Sequence, residues 1–222
     1  MKPLLLINLK TYEQGTGSKA EKIVEASEKV AKKMKANIVV APQTADIFRV
    51  SEKAKIPVYA QHIDPVGPGS NTGWTLPLAV KRAGATGTII NHSEHRLVSK
   101  RIGECVRMAK DAGLVTVCCA ANPKKAASIA KFSPDFIAVE PPYLIGGNVS
   151  VSEARPEIIT KTVDAVKSVN PRVKVLCGAG IHSRKDVEKS LELGASGVLV
   201  ASGVVKAKSP QKAIEDLAGG LV

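Results

Sequence analysis

The sequence predicts an α/β chain folded as a single (β/α)8 barrel over residues 1–222, and three observations carry that expectation. Eight short apolar runs recur along the chain, each run is continuous rather than alternating, and amphipathic segments separate them. A continuous apolar strand is buried on both faces, and strand–helix alternation forces parallel pairing through right-handed crossovers. Eight units in 222 residues leave about 28 residues each, compact but sufficient, and eight is the number at which such a sheet closes. A doubly wound open sheet is the alternative. The glycine-rich dinucleotide fingerprint expected after its first strand is missing, and Asn8-Leu9-Lys10-Thr11-Tyr12 stands there instead.

The strands are expected at 4–9, 38–41, 58–61, 88–91, 115–119, 136–139, 173–177 and 198–201. Three helices carry start signals: Ser18 before 19–35, Ser152 before 153–169, and Ser183 before 184–193, which Gly194 stops. A further helix start is expected at Ser93. No linker or low-complexity tract divides the chain.

Hydrophobic residues make up 44% and charged residues 23%, the balance of a globular protein. No apolar stretch approaches the ~20 residues of a membrane span, and the apolar start after Met1-Lys2-Pro3 is too short for a secretory signal, so a cytoplasmic location is expected. Cys105, Cys118, Cys119 and Cys177 lack metal-binding spacing and read as reduced core residues; neither a metal nor a cofactor is expected. Lysine and arginine total 32 against 20 acidic residues, a formal charge of +12. Most lysines alternate with acids on helices and aromatics are only 3%, which argues against nucleic acid as partner.

In a parallel barrel the C-terminal strand ends open onto one face, so their residues can be read together. They are Asn8 and Lys10, then Gln61 and His62, His92, Glu140, Gly178-Ala179-Gly180, and Ala201-Ser202-Gly203. Glu140 ends an apolar strand and opens Pro141-Pro142-Tyr143-Leu144-Ile145-Gly146-Gly147-Asn148, a stiff entrance and glycine exit around an apolar tip, which reads as a lid over 141–149. A base beneath a lid is the functional reading. The small-residue loops around Gly180 and around Ala201 and Ser202 let amide groups approach an anion, as in a phosphate cradle. At a helix N-terminus His92 would stay neutral and donate a hydrogen bond. His62, His95 and His182 read as structural.

Together, Asn8-Leu9-Lys10, Asn91-His92-Ser93-Glu94, Ala138-Val139-Glu140-Pro141 and Ile145-Gly146 closely resemble the triosephosphate isomerase family, in order and across the whole chain. The resemblance implies Lys10, His92 and Glu140 as catalytic residues. It implies Asn8, Leu9, Lys10, Ile145, Gly146, Gly180, Ala201 and Ser202 as substrate-binding residues for a small phosphorylated triose, with Glu94 holding Lys10. The short chain resembles the compact archaeal branch. That branch implies a homo-oligomer, a tetramer before a dimer, with the 64–74 loop docking beside a neighbour's lysine. The family commonly has glycine where this chain has Asn91, and Gly-Gly-Ser where it has Gly178-Ala179-Gly180. Rival readings are another phosphate-binding barrel, such as a pentose-phosphate epimerase, and an inert basic scaffold.

Overall fold

The computed structural model describes residues 2–141, 152 and 155–222. Eight strands run in the order expected: β1 Leu4–Asn8, β2 Asn37–Ala41, β3 Tyr59–Ala60, β4 Gly87–Ile90, β5 Val115–Ala120, β6 Phe136–Val139, β7 Lys174–Cys177 and β8 Gly197–Val200. All pair in parallel, in the order β2-β1-β8-β7-β6-β5-β4-β3. A parallel bridge between Val40 and Val58 joins the two ends of that order and closes the barrel. The short third strand follows from Pro57, which has no amide donor to extend the ladder.

Alternate strand residues fill the lumen, among them Leu4 and Leu6, Ile89, Val117 and Cys119, Phe136 and Ala138, Leu176, and Leu199. Their neighbours in sequence face outward and pack under the helices, where Leu5, Ile7, Ile90, Cys118, Ile137 and Val198 are fully buried. This two-sided burial is why the strands read as continuous apolar runs.

Helix boundaries correct two of the three starts expected at Ser18, Ser152 and Ser183. The first helix spans Ser18–Met34, and Gly17 occupies the capping position, with its amide held by Asp46 Oδ2 at 2.8 Å, so Ser18 is inside the helix. The helix expected over 153–169 is described as Pro156–Val169, with proline at a first-turn position where its missing N–H costs no bond. Ser183 does cap Arg184–Glu192, through a reciprocal capping box with Asp186. Among the described residues no helix is long and apolar enough to cross a membrane.

Candidate active site

β1 ends in Asn8, which is 3% exposed and accepts the Lys10 amide at 3.0 Å through its side-chain oxygen. That bond, with the Gln61 amide donating to the Lys10 carbonyl at 3.0 Å, brackets Lys10 in a left-handed conformation, φ 49°. Such a φ is unfavourable for lysine and persists because both peptide groups are held. The Lys10 ammonium reaches Glu94 Oε1 at 2.7 Å, as the resemblance implied. Leu9 differs from its neighbours: its side chain is fully buried and its amide is bonded to the Ala41 carbonyl at 3.0 Å. It anchors the loop from below.

Asn91 follows β4 directly, at φ 61°, a region asparagine tolerates better than most residues. Its side chain donates to the Cys119 carbonyl and accepts the Leu97 amide, both at 2.8 Å, which is what an asparagine offers here that glycine would not. The helix expected at Ser93 does not start there. Residues 93–95 form a turn, closed by His95 N–H on the His92 carbonyl at 2.8 Å, and the next helix is Ser99–Asp111. In place of a helix end, Nδ1 of His92 meets the Glu94 N–H, which donates to it at 3.2 Å, with Glu94 Oε2 at 3.6 Å. Nδ1 being an acceptor places the imidazole proton on Nε2, which faces Glu140 Oε1 at 3.5 Å.

β6 delivers Glu140, 4% exposed, whose Oε2 has no hydrogen-bond partner among the described residues. Burial pushes its pKa up, but His92, the Cys119 thiol and Lys10 outweigh it and hold the carboxyl below the ordinary range. For His92, burial pushes the pKa down and Glu140 overrides it, so the value lies above the ordinary 6.5. The direction is opposite to the one a helix N-terminus would give. Glycine at 178 is what admits the carboxylate: a Cβ there would lie 2.6 Å from Glu140 Cγ.

The two small-residue loops meet this carboxylate in one cavity, lined by Lys10, His92, Glu140, Ala179, Gly180, Ala201, Ser202 and Gly203. Ala179 and Gly180 have φ 71° and 69°, and successive residues of this kind can turn their amides toward an anion. On the other side of Lys10 and His92 a cleft of about 600 Å³ extends past Gln61 and Thr75. Ile145, Gly146 and the rest of the lid beyond Pro141 lie outside the described residues. His62 and His95 stack at 4.0 Å, with His62 against Asp64 at 3.2 Å, beside the site rather than at its centre.

Two contributors escaped the sequence reading. Gln61 was visible only as a strand-end residue, and Cys119 only as core. Strand parity carries the signal for Cys119, since Cys119 and Ala138 are register partners on the lumen face and Glu140 lies two residues beyond.

The family model described as Triosephosphate isomerase matches residues 3–217. The chain is similar to the triosephosphate isomerase of Methanoculleus marisnigri, 51% identical over 215 residues covering 97% of both chains. It is 47% identical over 216 residues to that of Methanothermus fervidus, again covering 97% of each. The enzyme of Methanocaldococcus jannaschii is 49% identical over 214 residues, 96% of this chain and 98% of its own. In fold, the chain superposes on the crystal structure of the Bartonella henselae triosephosphate isomerase with a TM-score of 0.76 at 18% identity, covering 99% and 97% of the two chains.

Proposed function

Because this chain belongs to the triosephosphate isomerase family, we propose that Glu140, His92 and Lys10 carry the family's reaction here, the reversible isomerisation of dihydroxyacetone phosphate and D-glyceraldehyde 3-phosphate. The observation that best supports this assignment is the buried Glu140 carboxylate, one oxygen facing His92 Nε2 at 3.5 Å and the other without a hydrogen-bond partner among the described residues. An ionised carboxylate with a bare oxygen is a general base ready for a carbon acid.

Glu140 removes a proton from the carbon beside the substrate carbonyl and returns it to the adjacent carbon, by way of a cis-enediolate. His92, its proton held on Nε2 by the Glu94 amide at Nδ1, donates to the oxygen on which charge develops and moves protons between the two oxygens. Lys10 supplies positive charge to enediolate and phosphate, with Asn8 fixing its backbone and Glu94 its ammonium. The amides of the loops around Gly180 and around Ala201 and Ser202 hold the phosphate. The lid at 141–149, with Ile145 and Gly146, excludes water and keeps the enediolate from losing phosphate.

The protein acts as a homo-oligomer in the cytoplasm, a tetramer before a dimer. Exposed Phe48 at 59% and Trp74 at 41%, large apolar side chains left to solvent in one chain, support an interface, and sedimentation would set the subunit count. The activity is tested by interconversion of the two triose phosphates by purified protein in a metal chelator. Rapid turnover supports the assignment; no turnover in a protein that binds phosphate points to another phosphate-binding barrel.

A further inference from the structure

At the end of the barrel opposite Glu140, the N-terminal ends of the strands surround a second cavity of about 620 Å³. Small-molecule sites typically occupy ~300–1,000 Å³. Strand parity explains how it arises. The lowest lumen layer holds Leu4 of β1, Tyr59 of β3 and Phe136 of β6, and Lys174 begins β7 two residues before the lumen residue Leu176. Two strands contribute only glycine at this level, Gly87 before Ile89 and Gly197 before Leu199. A Cβ on Gly87 would meet the Tyr59 ring at 2.6 Å, and one on Gly197 would come within 2.1 Å of the Leu4 carbonyl oxygen. The two glycines therefore leave part of this level unfilled, beside Leu4, Val39 and Val115. Its floor is two aromatic rings and a leucine.

The polar groups here are unusual for a structural end of a barrel. Tyr59 is only 5% exposed, lines the cavity, and among the described residues its hydroxyl makes no hydrogen bond. Burial, assisted by Asp135, raises its pKa to about 12, so it remains a neutral donor. The hydroxyl opens onto the cavity, where a ligand oxygen can take the place of water as its acceptor. Lys110, Arg172 and Lys174 line the same cavity against one carboxylate, Asp135. Asp135 Oδ2 accepts the Thr116 amide at 2.8 Å and hydroxyl at 2.7 Å. Lys110 is engaged by the Ser133 carbonyl, and the Lys174 ammonium lies 5.7 Å from the centre of the Phe136 ring. Cationic charge thus sits over an apolar aromatic floor beside an unused donor.

We propose that this lower mouth binds a compact organic anion, a planar or apolar body bearing one carboxylate or phosphate group. The body rests on Leu4, Tyr59 and Phe136, and the anionic group is held by the Tyr59 hydroxyl, Arg172 and Lys174. This site is separate from the isomerase chemistry and stands whether or not the roles of Glu140, His92 and Lys10 hold.

The test is amide NMR of isotope-labelled protein titrated with phenyl phosphate and with benzoate, using phenol and inorganic phosphate as controls. The expected result is saturable shifts at Tyr59, Asp135, Phe136 and Lys174 with one or both organic anions, and which of the two binds tighter assigns the ligand to the phosphate or the carboxylate class. Tyr59→Phe, which keeps the ring that packs on Gly87, and Arg172→Ala should each weaken binding roughly tenfold, the loss of one charge-assisted hydrogen bond. Turnover and KM for triose phosphates should not change in either variant. Shifts confined to amides around Lys10, His92 and Gly180, phenol binding as tightly as the charged probes, inorganic phosphate binding as tightly as phenyl phosphate, or unaltered affinity in both variants would each overturn the proposal.

Discussion

At the upper mouth of the barrel, Lys10, Asn91 and Ala179 adopt positive φ at the ends of β1, β4 and β7, and a buried carboxylate has one oxygen without a hydrogen-bond partner among the described residues. At the lower mouth the corresponding layer is Leu4, Tyr59 and Phe136, and the polar group that opens onto the cavity is a neutral phenol. The same eight strands join both ends, so the difference does not lie in the sheet. It lies in where the chain accepts strain and buried charge. A left-handed lysine and a desolvated glutamate each cost stability, and both are held by side chains from other strands: Gln61 on the Lys10 carbonyl, His92 beside Glu140. The lower end uses packing and a rim of cations instead. Rigid strands between the two let one end carry reactive geometry without loosening the other.

The largest effect that would break this contrast is removal of the upper carboxylate. Glu140→Ala should reduce kcat/KM by at least the ~10²- to 10⁴-fold of a lost general base, and activity within tenfold of the parent would end its assignment. Lys10→Ala follows, with a loss of roughly 10² spread over both KM and kcat, as for removal of a group that stabilises developing charge. An unchanged KM would remove Lys10 from phosphate binding. Gly178→Ala sharpens the comparison without touching a charge: its methyl would lie 2.6 Å from Glu140 Cγ and displace the carboxylate. About tenfold lower kcat with the barrel still folded is expected, since small misplacements of a reacting group are costly. At the lower mouth, Lys174→Met should leave kcat and KM within roughly twofold of the parent, as for a surface change remote from the site.

The fold was legible because its signal is redundant. Eight continuous apolar runs, a missing dinucleotide loop and the Ser183 cap all point the same way, and each strand appears within a residue or two of its expected place. The upper site was legible because parallel strands deliver their ends to one face, so Lys10, His92 and Glu140 could be gathered from distant positions. What the sequence did not disclose was conformation at single residues. Ser93 has the composition of a helix cap, yet the backbone turns back on the His92 carbonyl and the helix waits until Ser99. The field around His92 thereby changes from a helix end to one amide and the carboxylates of Glu140 and Glu94, which reverses the expected direction of its pKa shift. The lower cavity was hidden for a related reason: Tyr59, Gly87 and Lys174 are unremarkable in sequence and meet only through strand register.

The smallest predicted effect concerns how the His92–Glu140 pair links to folding. Burial raises the Glu140 pKa and His92 more than compensates, so the folded value lies below 4.5, and the stability it contributes is present above that ordinary value and lost as pH falls through the folded one. His92 has the opposite sign. Burial lowers its pKa, Glu140 outweighs that and raises it, and with the folded value above 6.5 its contribution is full below 6.5 and fades as pH rises through the folded value. The two windows overlap in weak acid. Glu140→Gln removes the charge on which both depend, so the Tm of the parent minus that of the variant should be largest near about pH 5.5 and smaller at about pH 3 and about pH 9. A Tm difference that stays constant across this range would mean that the two groups do not share charge in the folded protein. The upper mouth would then be organised by the Glu94 amide alone, and its contrast with the uncharged phenol below would be one of backbone strain only.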